Sequence, residues 1–405
     1  MSRLRRVAGL LAGLLAALAL GAAGGIYADQ AYPDYIPLLG VQRPAGTLDK
    51  ATYDRALKIL QADYYDPHFD YANLSHGSIK GLVLGLNDPF SYYLDPAEYK
   101  RQLNSYAGKY TGIGTELNFK GEYPVIVQVF PGSPALKAGL MAGDVVLAID
   151  GHDAHNLTID QASALIRGPE GSRVAMKVRR GEREVDLTIT RAAIALPSVR
   201  STRLDGGVLY IRIYTFDENT ATDFDKQLKA ALAGPTPGIV LDLRDDGGGF
   251  IDAAQKVISE FVSSGECFEL HDHTGKVDRH DVIGDHPAAS TPVVVLVNAN
   301  TASASEMVSG SLRVHQRAKL VGTKTYGKGS VQQDFPLPDG SDLHITIRRW
   351  FLPDGSSVEK NGLDPTVPVT LAAPADMFDV SQAAATHEKD TQLNAALQLL
   401  ASPGS

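Results

Sequence analysis

The chain has a single cysteine, Cys267, in 405 residues. A lone thiol excludes an intrachain disulfide and cannot build a cysteine metal site. Cys267 is therefore read as a passive, partly buried residue. Basic charge is scarce as well: 38 Lys and Arg stand against 47 Asp and Glu, for a formal net charge of −9. An acidic body argues against nucleic acid as a partner. No internal repeat is present, nor any low-complexity tract outside the first 28 residues. What remains is an ordinary globular composition, 44% hydrophobic and 21% charged, large enough for two or three domains.

The N-terminus stands apart. Arg3, Arg5 and Arg6 precede an uncharged run of 22 residues, Val7–Ala28, made mostly of Leu, Ala and Gly, and the first acid is Asp29. This is an export signal in outline, with small-residue cleavage sites after Ala23 or Ala28. The run is also long enough to span a bilayer, so residues 1–28 read either as a cleaved signal peptide or as a retained signal anchor. The expected location is extracytoplasmic, periplasmic or cell-surface, with membrane attachment through residues 7–28 if the segment is kept. Its loss would remove three arginines and take the formal charge from −9 to −12.

Periodicity divides the rest, and the expected class is multidomain α+β. From Thr47 to Tyr99 apolar residues fall at helical spacing, giving two or three helices, the second stopping at Asn87-Asp88-Pro89; residues 29–109 form an N-terminal helical region. Residues 110–193 change to short β-type runs (Tyr123 to Phe130, Asp144 to Ile149, Val174 to Arg179, Glu184 to Ile189) with one lateral helix at Ile159–Ile166. In residues 194–372 strands and helices alternate. Gly238 to Leu243 and Pro292 to Val297 are apolar enough to be strands buried on both faces of a mostly parallel sheet, with additional β structure from Val331 to Val369. Residues 373–405 are a linker and an amphipathic helix, Thr391–Ala401.

The chemistry concentrates in Thr301-Ala302-Ser303-Ala304-Ser305-Glu306 and Tyr326-Gly327-Lys328-Gly329-Ser330-Val331-Gln332-Gln333. They supply a hydroxyl, an amine 25 positions later and an amide side chain four beyond that. A serine hydroxyl becomes a nucleophile when a neighbour takes its proton, and a lysine can do so if burial lowers its pKa toward neutrality. Such a trio runs acyl transfer without histidine or metal. Both Ser303 and Ser305 would stand at the start of a helix, where backbone N–H groups stabilise an anion, and the residues alone do not choose between them.

These stretches, with Leu86 to Leu94, Gly112-Ile113-Gly114, Gly132-Ser133-Pro134-Ala135, Gly143-Asp144, Ile166 to Gly171, Leu241-Asp242-Leu243-Arg244, Gly247 to Gly249 and Gly362-Leu363-Asp364-Pro365, resemble the carboxyl-terminal processing proteases, also called tail-specific proteases. The likeness runs from about Leu48 to the C-terminus. It implies that Ser303 is the nucleophile, Lys328 the general base and Gln332 the residue that orients the lysine. It also implies an oxyanion hole made by the amides of Ala304 and Gly249, with Gly248 the near alternative. Asp245-Asp246 stand where the family more often shows asparagines, which brings extra negative charge near that hole. The middle module resembles a PDZ domain, which implies a carboxylate-binding loop at Gly112, Ile113, Gly114 and Thr115. Its helix would shape an apolar pocket with Ala162 and Ile166, and Arg167 would report peptide occupancy or simply sit on the helix dipole.

Three other patterns point elsewhere. Gly322 to Lys328 fits G-x-x-x-x-G-K, but the next residue is Gly329 rather than a hydroxyl. His271, His273, His280 and His286 lie among aspartates in a segment read as an exposed hairpin, not a metal cluster. His315 follows Ser303 by 12 residues, roughly 18 Å along a helix and too far for proton transfer. The expectation is an exported serine endopeptidase that needs no cofactor or metal and acts on proteins or peptides with free, unstructured C-termini. An adaptor protein and a homo-oligomer stay open as further partners. The competing expectation is a catalytically silent PDZ adaptor or chaperone that binds exposed C-termini.

Overall fold

The computed structural model describes residues 48–402, apart from 67, 121, 131, 158, 196, 374, 375, 379 and 381–385. The expected leader, residues 1–28, lies outside the described residues. Among these, no helix is long and apolar enough to cross a membrane. The chain divides into two compact units, residues 1–79 and 80–405. The first holds helix Lys50–Asp63, whose N-cap Asp49 accepts the Thr52 N–H at 3.1 Å, and the start of helix Tyr71–Leu84. Within it the Tyr53 hydroxyl donates to Ser78 Oγ at 2.8 Å. Helix Tyr71–Leu84 stops short of the expected Asn87-Asp88-Pro89, and Asn87 already has a left-handed φ of 54°.

In the second unit, helix Pro96–Tyr106 begins with a reciprocal cap: Glu98 N–H donates to Asp95 Oδ1 at 2.8 Å and Asp95 N–H to Glu98 Oε2 at 3.0 Å, with Pro96 at the position where a missing N–H costs nothing. A sheet of strands Thr115–Lys120, Tyr123–Val129, Val145–Ile149, Arg173–Arg180 and Arg183–Thr190 follows, with helix Ile159–Ile166 against it. Alternation in Arg173–Arg180 buries Val174, Met176 and Val178, which pack with Ile126, Val146 and Ile149 into a core of its own. Strand Lys109–Gly112, entering this module, pairs antiparallel with Ala192–Ala195, leaving it.

The sheet that carries the site is ordered Val199–Arg203, Leu209–Ile213, Ile239–Asp242, Val293–Val297, Ala318–Gly322, Val367–Pro368. All its pairings are parallel except the first. Ile239–Asp242 and Val293–Val297 are buried at every position, as their unbroken apolar runs predict. A second sheet joins Tyr92–Leu94, Asp342–Phe351, Glu266–Asp272 and Val277–Asp281, with Ser330–Pro336 paired to Asp342–Phe351. The architecture is thus mixed α+β, with N-terminal helices, a β module and a sheet-rich core.

Charge is also buried at the end of strand Ile239–Asp242. Arg244, 1% exposed, donates to Asp242 Oδ2 at 2.6 Å, Asp390 Oδ1 at 3.0 Å and Gln392 Oε1 at 3.0 Å. The Tyr210 hydroxyl donates to Asp242 Oδ2 at 2.5 Å. Asp390 is also the N-cap of helix Thr391–Ala401, accepting the Leu393 N–H at 2.9 Å. One carboxylate therefore caps a helix and neutralises an arginine that stands just before the glycine loop. A buried charge is tolerable only when paired and hydrogen-bonded in this way.

The histidine-rich segment is a hairpin, as expected, but not a merely solvated one. His271 Nε2 lies 2.9 Å from Glu269 Oε2, His280 stacks on Phe268 with ring centroids 4.7 Å apart, and His286 Nδ1 lies 2.7 Å from Ser259 O. Packing against the core half-buries all three. Among the described residues no group of three His, Cys, Asp or Glu side chains is arranged to hold a metal ion.

Candidate active site

Strand Val293–Val297 ends in a turn closed by Thr301, whose hydroxyl accepts the Asn298 N–H at 2.9 Å and donates to Leu243 O at 2.8 Å. The chain then enters helix Ala304–Val314 through Ser303. Ser303 is 8% exposed and has φ 54° and ψ −118°, a region that L residues rarely adopt. Such strain persists only where the surroundings over-determine it. Here they do: Ala302 N–H donates to Asp246 O at 3.0 Å, Ser303 N–H to Glu306 Oε2 at 3.0 Å, and Met307 N–H to Ser303 O at 2.9 Å.

The glycine loop closes on this turn from the other side. A Cβ on Gly248 would lie 2.7 Å from Ala302 O, 2.8 Å from Ala304 N and 2.8 Å from Ser303 Cβ, and its φ is +95°. Only glycine fits there. At Gly249, with φ +146°, a Cβ would fall 2.1 Å from Phe216 O. Gly248 O accepts the Phe216 N–H at 3.0 Å and Gly248 N–H donates to Asp246 Oδ1 at 2.8 Å. The Gly249 N–H makes no hydrogen bond among the described residues. Of the two glycines left open by the sequence, Gly248 thus supplies the close approach and Gly249 the uncommitted donor.

Glu306, fully buried, is the hub of the site. Its carboxylate accepts from Ser303 N at 3.0 Å, Lys328 N at 2.9 Å, Gly327 N at 2.8 Å and Thr325 Oγ1 at 2.5 Å. One side chain therefore holds the backbones of Ser303 and Lys328 at a common anchor. Burial pushes its pKa up, against the pull of those four donors. The backbone of Lys328 is fixed from its other end as well, because Trp350 Nε1 donates to Lys328 O at 2.9 Å.

The Lys328 ammonium makes no hydrogen bond or ion pair among the described residues. It lies 4.8 Å from the centroid of the Phe90 ring. Burial lowers its pKa below the ordinary 10.5, and Asp88 opposes that shift. Asp88 is held in turn, accepting from Ser91 Oγ at 2.6 Å and Phe90 N at 3.0 Å. Gln332 does not meet the lysine: its Nε2 donates to Ser330 Oγ at 2.9 Å and Thr346 Oγ1 at 3.0 Å. Its Oε1 is the atom left to accept from an ammonium. His315 Nε2 is taken up by Glu266 O at 2.8 Å, at the far end of the helix.

In the β module, Ile113, Ala162 and Ile166 are 2%, 0% and 5% exposed and belong to its core. Gly114 has φ +81° and packs where a Cβ would strike Ser133. Gly112 has open space beside it, Thr115 is half-buried at the head of strand Thr115–Lys120, and Arg167 is exposed. Arg191, to which the sequence drew no notice, closes the helix end instead: it donates to Ile166 O at 2.7 Å and Leu165 O at 3.0 Å. Glu306 was equally silent in the sequence, although Ser303-x-x-Glu306 is the spacing of a helix-capping pair and marks it.

The pattern of Peptidase family S41 matches residues 207–369 and that of a PDZ domain residues 125–180. The carboxy-terminal processing protease CtpB of Bacillus subtilis is 33% identical over 322 residues, covering 78% of this chain and 67% of that one. The chloroplastic carboxyl-terminal-processing peptidase 2 of Arabidopsis thaliana is 33% identical over 314 residues, 74% of this chain and 61% of that one. The chain thus spans about two thirds or less of these relatives' lengths. Among solved structures, the photosystem II D1 C-terminal processing protease superposes with a TM-score of 0.51 and 28% identity, covering 85% of this chain and 91% of that one.

Proposed function

Because the chain belongs to the carboxyl-terminal processing proteases of Peptidase family S41, we propose that it is an exported serine endopeptidase working through Ser303 and Lys328. The neutral amine of Lys328 takes the proton of Ser303 Oγ as that oxygen attacks the scissile carbonyl carbon. Negative charge moves to the carbonyl oxygen, toward the N–H groups of Ala304 and Gly249. The C–N bond then breaks, the leaving amine takes the proton from Lys328, and water later hydrolyses the acyl-serine by the reverse sequence. Gln332 orients the amine through Oε1 once the ammonium leaves the Phe90 ring. Glu306 carries the reading: a single carboxylate bonded to the N–H of both Ser303 and Lys328 makes one unit of two residues 25 positions apart.

Substrates are proteins or peptides with free, unstructured C-termini, captured at Gly112 to Thr115 by addition to strand Thr115–Lys120. Export, and either cleavage or retention of residues 1–28, follow from the leader's composition. The test is substitution: Ser303→Ala and Lys328→Ala should each abolish cleavage of an unfolded substrate without unfolding the protein, non-additively, while Ser305→Ala retains activity. An active Ser303→Ala with a dead Ser305→Ala reassigns the nucleophile. A wild-type chain that binds C-termini but never reacts with a serine-directed acylating probe is an adaptor instead.

A further inference from the structure

We infer that Asp246 serves the site as a neutral acid, holding the glycine loop against Ser303 through Oδ1 and presenting its proton on Oδ2 toward Ser305 Oγ, so that its ionisation switches the enzyme off at alkaline pH. This rests on the Ser303/Lys328 reading and adds a positioning residue to it. The geometry is specific. Asp246 is 0% exposed. Its Oδ1 accepts the Gly248 N–H at 2.8 Å and its backbone O accepts the Ala302 N–H at 3.0 Å, so one residue grips both flanks of the nucleophile turn. Its Oδ2 has no hydrogen-bond partner among the described residues, and neither has Ser305 Oγ, also 0% exposed. A hydrogen bond from the Ser305 hydroxyl would favour the ionised form of Asp246, and burial outweighs it. A proton on Oδ2 gives both orphaned atoms a use.

The surrounding charges leave the acid uncompensated. Arg212, on the adjacent strand Leu209–Ile213, is the charged group that acts on Asp246, but its guanidinium reaches out to Phe378 O and Arg244 O, each at 3.4 Å. Arg244, preceding the loop, is committed to Asp242 and Asp390. Asp245 accepts from Asn298 and Asn300 Nδ2, each at 2.8 Å. Glu306, on the helix that carries Ser305, is committed to the four donors already named, and Lys328 is acted on by Asp88. Burial accordingly pushes the Asp246 pKa up to about 8, far above the ordinary carboxylate range. Above that pH a buried negative charge appears one residue from the loop whose N–H must stabilise an oxyanion, and it opposes the same negative charge in the transition state.

Asp246→Asn tests this, because a carboxamide reproduces the acceptor and donor of the neutral acid and cannot ionise. In wild type, kcat should rise as Lys328 deprotonates and fall again above about pH 8. With each enzyme normalised to its own neutral rate, Asp246→Asn should lose that alkaline fall, exceeding wild type by about tenfold per pH unit beyond the midpoint, in kcat rather than KM. Superimposable alkaline limbs overturn the inference.

Unfolding supplies a second arm that needs no activity. The folded state keeps the Asp246 proton to about pH 8, whereas the unfolded chain loses it in the ordinary carboxylate range. The stability Asp246 contributes is therefore full in acid and lost as pH rises toward about 8. The Tm of Asp246→Asn minus that of wild type should widen across this window and then level off. Parallel Tm curves, or an Asp246→Asn chain that does not fold, overturn the inference. A widening Tm gap in a protein whose Ser303→Ala variant still cleaves would fault the catalytic assignment and overturn the positioning role, leaving Asp246 as a buried neutral acid only.

Discussion

Two buried carboxylates flank Ser303, and they are treated in opposite ways. Glu306, on the side of the Thr325 to Lys328 segment, meets three backbone N–H groups and a hydroxyl. Asp246, on the side of the glycine loop, meets one N–H and has an oxygen left over. Burial raises the pKa of both. The number of donors, not the depth, separates an anion used as a fixed anchor from an acid whose proton does the bonding. The site is thus anchored on the lysine side by a carboxylate that meets four donors and on the oxyanion side by a buried acid that accepts one N–H.

The contrast can be broken first at the loop. Gly248→Ala puts a methyl within 2.8 Å of Ala304 N and Ser303 Cβ, so the loop must move away from Ser303. We expect kcat to fall by at least about 10² to 10³, the scale of losing one oxyanion donor. An enzyme that keeps most of its rate would show that the loop's closeness is not needed.

At the anchor, Glu306→Gln places an NH2 group among N–H donors. Urea unfolding should show a loss of about 3 kcal/mol or more, as when a buried charge network loses a partner. Activity should drop together with stability, by about 10- to 100-fold, because Ser303 and Lys328 lose their common support. Unchanged stability would mean that the carboxylate is not an anion in the fold.

The smallest effect is expected at Phe90→Ala. Water then reaches the Lys328 ammonium, and since burial is the main cause of its lowered pKa, the acid limb of the rate profile should move to higher pH by up to about one unit. Loss of the ring's attraction for the cation works the other way and is the weaker effect. A midpoint that moves to lower pH would reverse that ranking.

Much of the fold was legible in the residues. Ile159–Ile166 and Thr391–Ala401 have the helical bounds their periodicity predicts, and Ile239–Asp242 and Val293–Val297 are the doubly buried strands their apolar runs predict. Local pattern sufficed because local spacing decides which face is apolar. The partners of Glu306 lie up to 22 positions away and those of Asp246 are set by a turn's dihedrals, so neither role could be read from spacing. Gly248 and Gly249 differ only in what stands beside them in three dimensions. Arg191 outdid Arg167 at the helix end because it arrives from the junction of two strands, 25 residues after Ile166.

Arg244 lies 146 positions before Asp390, its second carboxylate, and both Ser303 and Lys328 fall between them. On a ribosome, Ser303 and Lys328 are therefore synthesised before the second carboxylate that pairs with Arg244 beneath the glycine loop. Until Asp390 emerges, the guanidinium at the root of that loop has, among the described residues, Asp242 alone as an anionic partner. The order of synthesis thus withholds the last support of the glycine loop until the C-terminal helix can dock, and the nascent chain lacks that support throughout its own elongation up to that point.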